Sequence, residues 1–474
     1  MDDPTLRNSK LTEQLAAYAR ATEFAKLPDE VVDRAKRVIA DELGCMVLGS
    51  TMPPGQRVRS FVASVGGVPQ ATVVGGGVRA AAGYAALANG TSSHSDELDG
   101  VHVSQGHPAG TSVAGALAMS EALSLGGRDL INAVVLSFDV GCRILMAMGG
   151  GHALRREHHV HASPMYALGV ASAAGRLVRL DQVPMQHALA LAALNIAVPA
   201  SFFDERNHMS KALNQGQAAY AGVTGAMLAS HGFEAHDGFI EARDGLVDGW
   251  RTSRADIGAM TAGLGERYAI MDAGFKYYSA GYPINSPLAG AFALMKEHDL
   301  AAGDITRVRV GMAPSSADVV DNRRMPSICL QDMLSVGMAL GRLGYEDAHD
   351  ERNLRRADVR RLRGTIEIVR DATLAENAAQ RRVSWVEIST ADGRNYRGPE
   401  RIAPGHWELG GMPWDDLEEK FTSLAAPRLG PAASEQIFAF VRDLEARDSL
   451  DDLARAAAGR ADPPGAEVKP RTVW

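Results

Sequence analysis

Cysteine is scarce in this chain: Cys45, Cys142 and Cys329 are the only three in 474 residues, far apart and each beside apolar neighbours. That excludes a disulfide-stapled scaffold or a paired CxxC metal ribbon, and it points to small buried thiols in a reducing compartment. A basic stripe is lacking too. The net charge of −8 is spread over interspersed acids and bases, which disfavours a nucleic-acid partner. The opening Met-Asp-Asp-Pro offers neither a charged n-region nor an apolar h-region, and no apolar run is expected to approach the roughly 20 residues that span a bilayer. A soluble, cytoplasmic protein with no membrane partner is expected. The HExxH of zinc peptidases and the G-x-S-x-G elbow of serine hydrolases are also missing, which argues against both classes.

What the chain does have is alanine, glycine and helical periodicity. With 46% apolar residues it can bury a sizeable core, and its length suggests two or three domains. Between 11 and 50, Val31, Ala35, Val38, Ile39, Met46 and Val47 recur at helical spacing, with Pro28 and Asp29 at the start and Gly49 at the end. That predicts an amphipathic helix pair. Further helices are predicted over 80–89, 109–125, 130–148, 165–178, 186–195 and 211–231. In the last, Gly216, Ala219, Gly222, Ala226 and Ala229 form a small-residue face suited to close helix packing and to no chemistry. After 270 the pattern changes: Ile305, Val308, Val310 and Met312 fall in a strand-like run, 365–369 is β-branched, and Asp392-Gly393 reads as a hairpin turn. Roughly 270–405 is therefore an α+β region. Helix returns over 413–455 and is expected to rejoin the first domain.

Chemistry concentrates between Asn89 and Pro108, where three histidines and three carboxylates share a Gly-rich, largely non-periodic stretch. Segment 94–161 holds seven of the 14 histidines, including His158-His159-Val160-His161. Histidine titrates closest to physiological pH, so proton transfer is the first suspicion. Ala71 to Val74 followed by Gly75-Gly76-Gly77-Val78-Arg79-Ala80 matches the form of a dinucleotide loop, but no second strand ending in an acid follows about 20 residues on. A plain turn into a helix is expected there. His94, His102, His107, His159 and His161 with Asp96, Glu97 and Asp99 could ligate a metal, yet their spacing matches no known ligand set, and none is expected. Acid/base chemistry on an anion remains. It needs a near-neutral base and fixed cations for the developing enediolate. Lys211, opening a helix after Asp204-Glu205-Arg206-Asn207-His208, and Lys276, in Gly-Phe-Lys-Tyr-Tyr, suit the second role.

His94-Ser95-Asp96-Glu97-Leu98-Asp99-Gly100 leading to His107-Pro108, His161 before a small-residue helix, Lys211-Ala212-Leu213-Asn214-Gln215-Gly216-Gln217-Ala218-Ala219, and Gly274-Phe275-Lys276 together resemble the MmgE/PrpD family. That family includes 2-methylcitrate dehydratase, cis-aconitate decarboxylase and iminodisuccinate epimerase. The resemblance implies a fold that is mainly α with an α+β lid: an all-helical domain formed by the N- and C-terminal parts (1–268 and 409–458) and a smaller inserted α+β domain (269–408); the composition of 459–474, rich in Pro, Ala and charge, reads as a loose tail. The resemblance also implies a homodimer and no organic cofactor. Carried over by position, Glu97 matches a family active-site acid, His107 and His161 its histidines, and Lys211 and Lys276 its lysines; with Asp99 beside Glu97, the candidate catalytic residues are Glu97, Asp99, His107 and His161, and the candidate substrate-binding ones are Lys211, Lys276, His102 and Asn214. The sequence departs from the family where the second Asp of an Asp-Asp pair is Gly100 and the decarboxylases' next Thr is Val101. After the lid lysine it has Ser279 and Ile284-Asn285, and near the decarboxylases' lid tyrosine it has about Ser335.

The function so implied is a cofactor-independent lyase or isomerase, dehydratase-like or epimerase-like, removing a proton α to a carboxylate on a small di- or tricarboxylate. His161 or His107 would serve as base and acid, and residues such as Ile284, Asn285 and the run 325–332 would shape the pocket. The competing expectation is a non-catalytic member that binds small acids or serves as a dimeric scaffold.

Overall fold

The computed structural model describes residues 3–195, 198–374 and 382–459. Apart from Gly459, the expected tail lies outside them. The protein is mainly helical, with small β elements. In the first half, α1 (Leu11–Ala21) and α2 (Asp29–Gly49) form the expected pair. Asp29 and Glu30 complement the positive end of α2, and Val31, Ala35, Val38 and Ile39 make its buried stripe. The hairpin β1 (Ala71–Val73) and β2 (Val78–Ala80) leads into α3 (Ala82–Ser93). The two-residue strand β3 (Val101–His102) precedes α4 (Pro108–Ala122), α5 (Gly127–Ala147), α6 (Gly151–His158), α7 (Tyr166–Leu177) and α8 (Ser210–Ser230).

β4 (Ala273–Gly274) leads to α9 (Tyr282–Glu297), β5 (Ile305–Met312), α10 (Leu330–Leu340), β6 (Ile366–Arg370), β7 (Ser384–Thr390) and β8 (Asn395–Arg397). The sheet order is β6-β5-β7-β8, with β5 and β6 parallel and the other pairs antiparallel. Gly393, at φ 83°, turns β7 into β8, as its Asp-Gly dipeptide predicted. The chain finishes with α11 (Trp414–Leu429) and α12 (Pro431–Arg442).

Buried apolar residues fall into two large clusters. One runs from Leu6 to Phe275 and is rejoined by Met412 to Ala457; the other holds Ala280 to Ile388. Phe421 of α11 packs so closely on α2 that a Cβ at Gly44 would lie 3.1 Å from its ring.

Two expectations change in detail. Among the described residues one helix is both long and apolar enough to cross a membrane: α5 has 21 residues, and its most apolar stretch, of mean hydropathy 1.7, is 94% buried inside the protein. It is hydrophobic all round because it sits in the middle of the core. The Gly75-Gly76-Gly77 run is the turn of the β1–β2 hairpin. The backbone N–H groups of Gly75 and Gly77, which a phosphate loop would aim at its ligand, donate to the carbonyls of Ala457 and Ala458.

Candidate active site

Helix packing assembles the site from distant segments. A Cβ on Gly216 would stand 2.2 Å from the Leu87 carbonyl oxygen, and one on Gly90 would stand 2.9 Å from the Gly216 Cα. Only glycines allow α3 and α8 to touch backbone to backbone. Running antiparallel in this way, they bring the C-terminal end of α3, capped by His94, beside Lys211, the second residue of α8. The small-residue face has no chemistry of its own, but it places a lysine. A second connection is made by β3 and β4, which pair antiparallel with Val101 opposite Gly274 and His102 opposite Ala273. Lys276 follows two residues later and so lies under the same segment.

Five of the candidate residues, Glu97, Asp99, His107, Lys211 and Lys276, form one charge network, with His94 as a sixth member. Lys211 donates to Glu97 Oε1, and its Nζ is 2.9 Å from His94 Nε2. Lys276 Nζ is 3.3 Å from Glu97 Oε2 and 3.3 Å from Asp99 Oδ1. His94 Nδ1 lies 2.8 Å from Asp99 Oδ2, and His107 Nδ1 lies 3.1 Å from the same oxygen. Burial pushes both carboxyls up, but Lys211 and Lys276 beside Glu97, and His107, His94 and Lys276 beside Asp99, hold both well below the carboxylate range. Burial works against the Lys276 charge, but Asp99 and Glu97 raise its pKa. His94 is drawn down to about 4 by burial, Asp99 opposing and Lys211 assisting, so it is a neutral ring between a carboxylate and an ammonium.

These groups adjoin a cavity of about 110 Å³ lined by Glu97, His102, His107, His161 and Lys211 among others. Lys276, Asp99 and Asn214 do not line it. Lys276 and Asp99 sit directly behind Glu97 and His107, and Asn214 lies behind His161, 3.0 Å from its Nδ1. His102 does line the cavity, yet its Nε2 donates to the Ala269 carbonyl (2.9 Å) and its Nδ1 accepts from the Ser104 backbone N–H (3.0 Å). Burial holds it neutral, at about 4, and both nitrogens are occupied by the chain. Of the 158–161 cluster only His161 enters the site. His158 points to the Arg251 carbonyl, and His159 is exposed.

The departures from the family pattern have structural counterparts. The Gly100 N–H donates to Glu42 Oε1 at 2.8 Å, and a Cβ on Gly100 would meet that oxygen at 3.2 Å and the Ala109 Cβ at 3.0 Å. Glu42, from α2, thus occupies the space beside residue 100. Burial, then Asp99 and Asp41, push its carboxyl well above the usual range. The Ser279 hydroxyl donates to the Asp96 carboxylate (2.8 and 2.9 Å), which His349 also approaches at 2.6 Å. Ile284 and Asn285, expected to shape the pocket, are packed inside the second cluster's segment. Asn285 bonds the Tyr278 N–H and the Ala280 carbonyl. From the 325–332 run only Ile328 lines the cavity, and Ser335 donates to the Asp332 carbonyl.

Among the described residues two sets of donors could suit a metal: His94, Asp99 and His107, and His94, Glu97 and His208. The lysine ammoniums already beside these carboxylates make a further cation electrostatically unfavourable. Sequence reasoning overlooked Glu42, His208, Lys420, Arg155, His152, Tyr282 and Arg382. Lys420 of α11 pairs with Asp41 at 2.6 Å and donates to the Leu98 carbonyl at 2.9 Å, tying the C-terminal part to the site. In sequence it is one charge on an ordinary amphipathic helix.

The MmgE/PrpD N-terminal domain matches residues 13–255, and the MmgE/PrpD C-terminal domain matches residues 278–446. The chain belongs to the MmgE/PrpD family. Human cis-aconitate decarboxylase is 24% identical over 477 residues, covering 97% of both proteins. The cis-aconitate decarboxylase of Aspergillus terreus is 28% identical over 242 residues, about half of each chain, and that of Mus musculus 27% identical over 241. The network residues Glu97, Asp99, His107 and Lys211 fall in the MmgE/PrpD N-terminal domain match, and Lys276 stands two residues before the C-terminal one.

Proposed function

We propose that this MmgE/PrpD protein is a lyase or isomerase that removes a proton α to a carboxylate of a small di- or tricarboxylic acid, with no organic cofactor. The observation that carries this reading is a difference between two histidines. His107 Nδ1 lies 3.1 Å from the Gly100 carbonyl, an acceptor only, so Nδ1 carries the proton and Nε2 keeps a lone pair. His161 Nδ1 accepts from the Ser163 backbone N–H at 3.3 Å, so its proton is on Nε2. Burial, then Lys211 and His107, keep His161 neutral. His107 is then the base and His161 the acid. Glu97, ionised between two lysines, orients Lys211, which stabilises the enediolate from the cavity side while Lys276 balances the carboxylates behind.

Relatives named as cis-aconitate decarboxylases support a lyase acting on a carboxylate. From the enediolate, departure of a β-hydroxyl as water gives dehydration and return of the proton to the other face gives epimerisation; in a decarboxylation the departing CO2 would itself leave the electron pair on carbon, and the acid would supply the proton that takes it up. A homodimer is part of the reading, as is a cytoplasmic location, which the three buried free cysteines support. Incubation with a panel of di- and tricarboxylates in deuterated water tests the chemistry. An α proton of at least one acid exchanges with the wild type and not with His107→Ala; no exchange across the panel by folded protein overturns the reading. A binding-only member is the second reading, favoured by Lys211 and Lys276 being already neutralised by Glu97 and Asp99. Thermal stabilisation by an acid that never exchanges would support it.

A further inference from the structure

The acid/base groups leave part of the cavity lining without a role. His152 and Arg155 lie one turn apart on α6, and Arg382, two residues before β7, donates to His152 Nε2 at 2.9 Å and to Ser316 Oγ at 2.9 Å. His152 therefore accepts as a neutral ring, and burial followed by Arg382 and Arg155 pushes it well below its usual pKa. This gathers two guanidiniums around one uncharged imidazole. The Arg155 guanidinium lies 4.2 Å from the Phe203 ring centroid. Asp204 and Asp318 lie within its field, but Asp204 pairs with Arg323 and Asp318 with Arg370. Among the described residues the only acid lining the cavity is Glu97, which Lys211 and Lys276 already hold. Tyr282, the first residue of α9, lines the same cavity with a buried hydroxyl that has no hydrogen-bond partner. The rest of the lining is largely apolar, including Val101, Ala162, Phe203, Val319 and Ile328.

We propose that Arg155 and Arg382 form a distal carboxylate subsite, so that the substrate is a small acid with two carboxylates, one gripped by these arginines and the other beside Lys211. The proposal rests on the acid/base reading of the cavity. A planar guanidinium matches a carboxylate through two parallel N–H donors, an arrangement that a lysine cannot supply. Arg155 belongs to a helix of the first cluster, and Arg382 adjoins a strand of the second. An acid held by both therefore joins the two parts of the protein, and the tyrosine hydroxyl lies ready to serve the same anion.

The test is calorimetric titration of the full chain with succinate and with butyrate, which has the same four carbons but lacks one carboxylate. Wild type binds succinate at least tenfold more tightly, and the ratio falls below threefold in Arg155→Gln and in Arg382→Gln. Arg155→Lys keeps the charge and loses the fork, so it guards against a glutamine variant that fails to fold; its ratio also falls. Equal affinity for the two acids in wild type, or a tenfold ratio that survives in the variants, overturns the subsite. Deuterium exchange measured on the same samples separates the two claims. An arginine-dependent succinate preference without any exchange retains the subsite and rejects the chemistry, whereas exchange with an unchanged ratio does the reverse.

Discussion

His107 Nδ1 lies 3.1 Å from the carbonyl oxygen of Gly100, and this contact with a backbone acceptor fixes the ring's tautomer. Because His161 is fixed in the opposite sense by a backbone donor, the two histidines are not interchangeable. His107→Ala should lower α-proton exchange by ~10²–10⁴-fold, the usual range for loss of a general base. His161→Ala should slow product formation while exchange persists. Parallel NMR and product assays check this, and an equal loss of exchange in both variants would contradict the assignment.

Removing Lys276 should destabilise the fold more than it alters substrate affinity. Lys276 is completely buried between Glu97 and Asp99, and its loss leaves buried carboxylates short of a counter-charge. Lys276→Met should cost about 3–5 kcal/mol in denaturant unfolding. Combining it with Glu97→Gln should recover part of that loss. An unchanged unfolding midpoint in the single variant would refute the argument.

The contact between Gly100 and Glu42 predicts a specific rescue. Gly100→Ala places a methyl 3.0 Å from the Ala109 Cβ and 3.2 Å from Glu42 Oε1, and should cost ~1–3 kcal/mol through overpacking. In a Glu42→Ala background the cost should shrink, a coupling that a double-mutant cycle measures directly. Strict additivity would mean that the two residues do not compete for space.

A pH dependence follows from Asp96 and His349. Burial lowers the His349 pKa, but Asp96, with Glu97 further off, raises it on balance. Burial raises Asp96, but His349 and the Ser279 hydroxyl bring it down on balance. A raised histidine stabilises fully below its unfolded value and loses that contribution as pH rises through its folded value. A depressed carboxyl stabilises above its unfolded value and loses that contribution as pH falls through its folded one. The melting-temperature gap between wild type and His349→Gln should be widest at weakly acidic pH and close as the solution becomes alkaline. A gap that widens with alkalinity would reverse the sign and defeat the account.

Much of the floor of the site was legible because its residues are local or belong to short motifs. Glu97, Asp99 and His107 lie within eleven residues, and Lys211 opens a helix whose glycines advertise close packing. Glu42 was not legible. It sits in α2 among other charged residues, and its importance comes from reaching Gly100 across 58 positions. Arg155 and Arg382, 227 residues apart in number, meet only through His152. Lys276 carried a family signal and Asn214 lay inside the Lys211 motif, but periodicity could not tell a residue that lines a cavity from one directly behind it. The glycine run at 75 to 77 misleads for the converse reason: its turn geometry is common to many loops, and only the docking of Ala457 and Ala458 reveals what its amides do.

The β3–β4 bridge has a mechanical consequence. Two residues of each strand hold the reactive segment to the segment bearing Lys276, so any movement of Lys276 relative to the first cluster also moves a positive charge relative to Glu97 and Asp99. Separation would leave those carboxylates hungrier for protons, and re-docking would expel the protons again. In this protein, displacement and proton affinity are read on one dial.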